Sequence, residues 1–302
     1  MPVVPLKGLA AVALLLAATA SCSHTAQGAQ VDTGQAQRDT RKIRVVTTIS
    51  TLNSFVQGVG GEFVTVKNIV PVGASPETFA PAPQDVASVA DANVLVENGA
   101  GLESWLDRLL HDAGSQSLHI VVCSEGLPVK NDNPHLWMDP VMAKAYVAKI
   151  RDTLAAVDPP HAQAYRRNAA AYNVRLDELT ATIRRKIGTI PPSRRNMIVF
   201  HNAWQYYNDR FGIVTLVVER NPGQEPNPQQ IAELIDLAKR LKVRAVFSEP
   251  EYSPKILYTI AQGSGIKVVE NLYDDSVGTD PRVSTYPAML LYDTNVIVAA
   301  LK

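Results

Sequence analysis

The stretch "AYRRNAAAYNVRLDELTATIRRKI", Ala164–Ile187, decides the architecture that we predict for this chain. It belongs to a segment, Pro159 to Ile187, that has no Gly and no Pro after its opening Pro-Pro pair and is rich in helix-forming residues. At a rise of 1.5 Å per residue, a helix of about 29 residues is roughly 43 Å long, which exceeds the needs of one small lobe. We therefore predict a single long, rigid helix at 159–187 that links two lobes.

The segments on either side of this helix alternate short apolar runs with helical patterns. "IRVVTTI" and "LHIVVCS" precede the helix, and "RNMIV", "RAVFSEP" and "IKVVENL" follow it. Such alternation is typical of an open parallel sheet with helices between its strands. We predict an α/β fold class, with two open α/β lobes at 43–158 and 188–302 whose sheets are parallel. A chain of 302 residues, 46% of them hydrophobic, is long enough for each lobe to have its own core.

The charge balance argues against two classes of partner. The 29 Lys and Arg residues equal the 29 Asp and Glu residues in number, so no net charge favours nucleic acid or an anionic membrane surface. Basic residues are not interleaved with stacking aromatics, as they are in proteins that bind single strands. We expect a monomer that binds no nucleic acid.

The first 42 residues indicate export. Lys7 precedes the apolar run Gly8 to Ala20, which is too short to remain as a membrane span, so 1–21 is predicted to be a signal peptide. "TASC", Thr19 to Cys22, resembles a bacterial lipoprotein cleavage box, although Thr19 replaces the usual leucine. Cys22 is then expected to carry lipid and anchor the protein to the membrane, at the cell surface or in the periplasm, with simple secretion as the alternative. Residues 22–42 are predicted to form a flexible tether.

Cys123 is the only other cysteine. If Cys22 carries lipid, Cys123 has no partner, and no disulfide holds the fold. We predict that Cys123 is a buried free thiol.

Potential metal ligands follow four of the predicted strands. Ligands of open α/β sheets bind beyond the carboxyl ends of the strands, and the loops there carry Glu77, His135, His201 and Asp275. Imidazole and carboxylate together suit zinc, manganese or iron(II). The alternative is that these residues bind no metal: Glu77 and Asp275 would then be solvated loop carboxylates, and His201 would be a capping or core residue.

Four motifs, in this order, carry a family resemblance. The series "PVGASPETFAPAPQDV", "NPHLWMDP", "FHNAWQYYNDRFGI" and "YDDSVGTDP" resembles the metal-receptor family of bacterial ABC transporters, which includes metal-binding adhesins. The resemblance extends from about Ile43 to the C-terminus. It implies two α/β lobes on one long helix, a divalent metal as transported ligand, and a membrane permease as partner. It also places three ligands of that family on His135, His201 and Asp275.

The first loop departs from the family pattern. Family members usually have Asp-Pro-His where this chain has Ser75-Pro76-Glu77. Either Glu77 binds the metal through oxygen, or water fills the position. Two histidines with two carboxylates are a harder ligand set than three histidines, which shifts the preference from zinc towards manganese or iron.

Five neighbouring residues have other expected roles. Asp139 precedes Pro140 and is predicted to cap a helix. Glu249 is either a partner that holds His201 or a spare ligand. Asp274 could replace Asp275. Trp137 and Trp204 are expected to pack beside the histidines and keep the site dry.

Two functions of different classes fit these residues. The leading prediction is an extracytoplasmic substrate-binding protein that captures a divalent metal, zinc or manganese or possibly iron, and delivers it to a permease without catalysis. The alternative is a zinc-dependent metallohydrolase of the cell envelope. It is disfavoured because the sequence has no HExxH motif and leaves no obvious general base. An additional adhesin role remains open.

Overall fold

The computed structural model describes residues 42–219 and 223–302. The expected signal peptide (1–21), Cys22 and all of the expected tether except Lys42 therefore lie outside the described residues. None of the helices in the described ranges is both long and apolar enough to cross a membrane.

The first lobe is built on a parallel sheet with the strand order β2-β1-β3-β4. Its strands are β1 (Ile43–Thr47), β2 (Val64–Asn68), β3 (Val94–Glu97) and β4 (His119–Val122). Its helices are α1 (Ser50–Gly60), α2 (Pro83–Ala90), α3 (Leu106–Ala113) and α4 (Pro140–Val157). The central strand β1 is buried from Val45 to Thr47, which explains its continuous run of β-branched residues.

The second lobe repeats this arrangement, with the strand order β6-β5-β7-β8 and parallel pairing throughout. Its strands are β5 (Asn196–Val199), β6 (Val214–Val217), β7 (Ala245–Phe247) and β8 (Lys267–Val269). Its helices are α6 (Gln205–Phe211), α7 (Pro228–Arg240), α8 (Lys255–Ser264) and α9 (Tyr286–Leu301). The sequence did not predict α6 or β6, because α6 has only seven residues and β6 is a partly exposed edge strand.

The linker helix is α5 (Ala162–Gly188), and a short 3₁₀ turn at Pro159–His161 precedes it. Its 27 residues give a length of about 40 Å. Tyr165, Ala169, Tyr172 and Leu176 recur at helical spacing and are buried. The buried face contacts α1 and α4 of the first lobe and α9 of the second lobe. The predicted fold class is therefore confirmed, and the linker is held by packing along its length.

The main hydrophobic core does not stop at the boundary between the lobes. One cluster contains Phe55 of α1, Leu176 of the linker, Tyr207 of α6 and Met289 of α9, and smaller clusters serve each lobe alone. The expectation of a separate core for each lobe is thus wrong for the largest cluster, because the linker and α9 join both lobes. Cys123 is buried in this cluster as a free thiol, as predicted.

Candidate metal centre

Three of the four predicted ligands come together although they belong to different lobes. His135 follows β4 of the first lobe, whereas His201 and Asp275 follow β5 and β8 of the second lobe. Each of the three offers a ligand atom, and these atoms all lie within 4.8 Å of one another. The centroids of the two imidazole rings are 5.1 Å apart.

The ligand atoms of these three residues are buried and lack hydrogen bonds. The Nε2 atom of His135 lies 3.2 Å from Oδ1 of Asp275, and Nε2 of His201 lies 3.5 Å from Oδ2. No hydrogen-bond partner satisfies any of these four atoms. Burying a polar atom without a partner is costly, so four of them around one point require an explanation. Imidazole nitrogen and carboxylate oxygen are the donors that divalent transition metals take in proteins.

Both histidines are held by their second ring nitrogen. The Nδ1 atom of His135 lies 2.9 Å from Oδ1 of Asn133, and Nδ1 of His201 lies 2.7 Å from Oε2 of Glu249. Each of these oxygens can accept a hydrogen bond from Nδ1, so Nε2 is the ring nitrogen that each histidine directs towards Asp275. A metal ion would bind at Nε2 while the Nδ1–H keeps its partner, which is the arrangement that a metal-binding histidine needs.

The electrostatic balance at the centre favours cations. Burial alone lowers the pKa of His201, but the carboxylates of Glu249, Asp274 and Asp275 outweigh burial and raise that pKa well above its ordinary value. Burial also opposes ionisation of Asp275, yet the two histidines hold its pKa below the ordinary value. The carboxylates around His201 therefore stabilise a positive charge at this point, which is the environment that a metal cation requires.

Glu77 lies beside this group. Its loop is anchored by Trp105, whose indole Nε1–H donates a 2.8 Å hydrogen bond to the carbonyl of Pro76. Burial raises the pKa of Glu77 above its ordinary value. The charges of His135 and Asp275 act on this pKa in opposite directions, so the carboxyl lies near both ligands. Its Oε2 atom is buried without a partner. Among the described residues, however, Glu77 is not in the set whose ligand atoms lie within 4.8 Å of one another.

Two tryptophans fix the last loop. Trp204 Nε1 donates to Oδ2 of Asp274 at 3.0 Å, and Trp137 Nε1 donates to the carbonyl of Asp274 at 2.8 Å. Both indoles are fully buried, so they exclude water as predicted and also position Asp275. Asp274 forms a second candidate group with His201 and Glu249. Its two oxygens already accept hydrogen bonds from Trp204 and from the Asp275 N–H, which makes it a poorer ligand than Asp275.

Asp139 caps α4 as predicted, since its Oδ1 accepts the Val141 N–H at 2.9 Å. It also pairs with Arg210 of α6, whose Nη2 lies 2.6 Å from Oδ2. This buried carboxylate therefore joins the loop of His135 to the second lobe. This pairing could not be predicted from the sequence, because Arg210 lies 71 residues away on a short helix that has no clear pattern.

Glu219 is a buried carboxylate near the centre that the sequence interpretation missed. It follows β6, and its Oε1 accepts the Gly223 N–H at 3.0 Å while Oε2 has no partner. Burial raises its pKa, the positive charge of His201 lowers it, and Glu77 raises it, so Glu219 lies near both residues. If "IVTLVV" had been predicted as a strand, Glu219 would have been identified as a further carboxylate at a strand end.

Comparison with known proteins assigns one protein family to nearly the whole described chain. The family profile of the periplasmic zinc-uptake complex component A, ZnuA, matches residues 45–300. The manganese-binding lipoprotein MntA of Halalkalibacterium halodurans is 33% identical over 276 residues, which cover 89% of this chain and 92% of that protein. The iron-binding protein YfeA of Yersinia pestis is 29% identical and covers 83% of each chain.

Solved structures agree with this assignment. A crystal structure of ZnuA matches with a TM-score of 0.79 and 28% identity, covering 86% of this chain and 100% of that chain. The periplasmic zinc-binding protein TroA of Treponema pallidum, at 24% identity and a TM-score of 0.82, supports the fold alone. The profile match over 45–300, together with the 33% identity to MntA, shows that the chain belongs to the ZnuA family of periplasmic zinc-uptake components.

Proposed function

We propose that this chain is the extracytoplasmic substrate-binding protein of a metal ABC transporter. One observation carries the proposal: the Nε2 atoms of His135 and His201 and both carboxylate oxygens of Asp275 are buried around one point, without hydrogen bonds. Because His135 belongs to one lobe and the other two residues to the second lobe, a metal ion at that point would be held between the lobes. We propose His135, His201 and Asp275 as its ligands, with Glu77 as the fourth.

The transported metal is a divalent transition metal. Relatives are named for manganese, iron and zinc, so family membership alone does not select one of them. The donors offered by this chain would be two imidazole nitrogens and oxygens from two carboxylates. That set is harder than three imidazoles with one carboxylate, and it favours manganese or iron(II) more than a three-histidine site would.

We further propose that the protein performs no chemistry on its ligand and delivers the metal to a permease in the cytoplasmic membrane. MntA is named as a manganese-binding lipoprotein and YfeA as an iron-binding protein, which favours metal transport over the metallohydrolase alternative. Anchoring through a lipid on Cys22 would keep a monomeric receptor close to the permease. The domain boundaries proposed from the sequence, with the linker at 159–187, would leave 43–158 and 188–302 as the two lobes.

The proposal is tested by the metal content of the protein and by its affinities. Elemental analysis of protein purified from its native cells should find close to one equivalent of zinc, manganese or iron. Titration of chelator-treated protein with each metal in turn, and in competition, should give one saturable site. Protein that carries no transition metal and binds none of the three would overturn the proposal.

A further inference from the structure

The amino ends of the strands in the second lobe form one edge of its sheet. Asn196, which opens β5, pairs with Val214, which opens β6. In the other half of the sheet, Ala245 of β7 pairs with Lys267 of β8. Since all four strands are parallel, the segments that lead into them meet at this edge. The proposed metal ligands of this lobe follow their strands, so they lie beyond the opposite edge.

Two strongly basic segments lead into this edge. Residues 184–195 connect the end of α5 to β5 and include five Lys and Arg residues, and residues 239–244 connect the end of α7 to β7 and include four. Neither segment contains Asp or Glu. Because the whole chain has equal numbers of basic and acidic residues, these segments represent a local excess of positive charge.

The fold brings the two basic segments together. Arg194 and Arg244 both donate from Nη1 to the main-chain oxygen of Lys302, the second of them at 3.4 Å. Arg195 and Arg244 directly precede the neighbouring strands β5 and β7. We define the basic surface by the exposed cations at this edge, which are Arg184, Arg185, Lys239, Arg240, Lys242, Arg244 and Lys267.

The charges of the basic surface are not neutralised by carboxylates. Within the part of the chain that the structure describes, none of its seven cations lies at ion-pair distance from Asp or Glu, whereas Lys130 and Arg151 each pair with an aspartate. The absence of acidic residues from both segments explains this difference. The basic surface is therefore available to an anionic partner.

Exposed apolar side chains lie at the same edge. Leu241 stands between Arg240 and Lys242 and is 36% exposed, and Val214 opens β6 and is 51% exposed. Cations attract anionic lipid headgroups, and apolar side chains gain free energy by entering the boundary between headgroups and acyl chains. A soluble polyanion would use the cations alone. The combination favours a lipid surface as the partner.

We propose that the basic surface docks on the anionic headgroups of a phospholipid bilayer. The inference rests on the proposed function in one respect, since export and a lipid on Cys22 would keep the protein beside the membrane. The metal centre belongs to the opposite edge of the same sheet, so it would lie on the side away from the lipid. Docking and metal binding would therefore not compete.

Flotation of the chain 23–302 with phospholipid vesicles tests the proposal. This chain keeps every described residue and lacks both the apolar leader and Cys22, so no lipid anchor contributes. We expect binding to vesicles of equal parts phosphatidylglycerol and phosphatidylcholine, and none to phosphatidylcholine alone. Added salt should release the protein, because it screens exposed charges.

Two variants test the two kinds of side chain. The double variant Arg184→Gln, Arg185→Gln should weaken vesicle binding about tenfold, since each basic residue near an anionic surface contributes to the attraction. Leu241→Ser should also weaken it, because the apolar contact is lost. The matched control is the double variant Arg166→Gln, Arg167→Gln, which changes two consecutive exposed arginines at the other end of the same helix. It should bind vesicles like the unaltered chain.

The melting temperature of each variant reports whether the fold is kept. No binding of the unaltered chain to the anionic vesicles, or equal loss in the Arg166 and Arg167 control, would overturn the proposal. Binding of soluble polyphosphate without binding of vesicles would assign the surface to a soluble polyanion and would also overturn it. Metal titration of the same chain separates the two proposals. A chain that binds metal but no vesicles contradicts this inference alone, and one that binds vesicles but no metal contradicts the proposed function alone.

Discussion

The Nδ1 atom of His201 lies 2.7 Å from Oε2 of Glu249, and the other oxygen of Glu249 accepts the Phe200 N–H at 3.1 Å. Both side chains are buried, so the imidazole has a fixed orientation. His135 has a neutral partner instead, since its Nδ1 faces the amide oxygen of Asn133. A carboxylate behind the ring strengthens a histidine ligand more than an amide does. His201 should therefore be the stronger of the two nitrogen ligands.

Replacement of Glu249 by Gln should weaken metal binding about 10- to 100-fold, the range typical for residues that orient a ligand. The variant keeps the shape of the side chain and loses the charge beside His201. Calorimetric titration with zinc and with manganese measures the affinity. Glu178→Gln, on the exposed face of the linker helix, is the control and should leave the metal affinity unchanged. If Glu249 only supports the fold, the metal-free protein will melt at a lower temperature while its metal affinity stays the same.

Replacement of His135 or His201 by Ala should abolish tight metal binding without unfolding the protein. The apolar side chains that fill the main cluster, which extends through both lobes and the linker helix, are unchanged in both variants. In the unaltered protein a thousandfold excess of metal over its dissociation constant should stabilise the fold by about 4 kcal/mol. Thermal melts with and without metal should therefore differ for the unaltered protein and coincide for both variants. A metal-induced shift of full size in either variant would remove that histidine from the site.

Replacement of Glu77 by His should raise the affinity for zinc relative to manganese. Imidazole is softer than carboxylate and favours the later metal, while the other three ligands are unchanged. Glu77→Ala should weaken binding of both metals. The ratio of the two dissociation constants, measured for the three proteins, is the decisive quantity. The same ratio in all three would mean that Glu77 does not contact the metal.

The pH dependence of the free energy of unfolding should reveal the ionisation of Glu97. This residue lies at the end of β3, outside the metal centre. Burial, followed by the nearby charges of Glu103 and Asp107, raises its pKa from 4.5 to about 7. The folded state therefore binds this proton more tightly than the unfolded state, and the free energy of unfolding should fall as the pH rises from 4.5 to 7. Above pH 7 the full destabilisation is present.

Glu97→Gln removes that ionisation. At pH 8 the variant should be more stable than the unaltered protein by about 1 kcal/mol, a figure reduced because the side chain is partly exposed. At pH 4 the two should be similar. Urea unfolding at both pH values measures the difference, with exposed Glu62→Gln as the control. A constant difference between the two pH values would refute the role given to Glu97.

The parts of the fold that the sequence predicts are those with long, regular patterns. The linker helix could be predicted because helix-forming residues continue from Ala162 to Ile187 without Gly or Pro, and Asp139 before Pro140 marks the start of α4. The helix α6 was missed because seven residues are too few to show a clear helical period. The strand β6 is as long as β5, but it lies at the edge of the sheet and is partly exposed, so it lacks the burial of the central strands. Glu219 and Arg210 were missed with them.

In the candidate site, too, some features could be predicted from the sequence and others could not. The loops that follow β4, β5 and β8 could be recognised as strand ends, and their side chains meet. Glu249, 48 residues from His201, could be named as its partner because it also ends a strand at this face, and the structure confirms that alternative over the spare ligand. The pairing of Trp204 with Asp274, 70 residues away, could not be predicted, because nothing in the sequence relates the two. Both pairs lie within the second lobe, where the parallel sheet brings the ends of its strands side by side.

Anomalous X-ray diffraction from crystals of the metal-loaded protein, recorded at the absorption edge of the bound metal, tests the central claim most directly. We predict one strong peak between Nε2 of His135, Nε2 of His201 and the carboxylate of Asp275, within about 2.0–2.3 Å of each ligand atom. A peak at any other place in the molecule, or none near these three residues, would contradict the account.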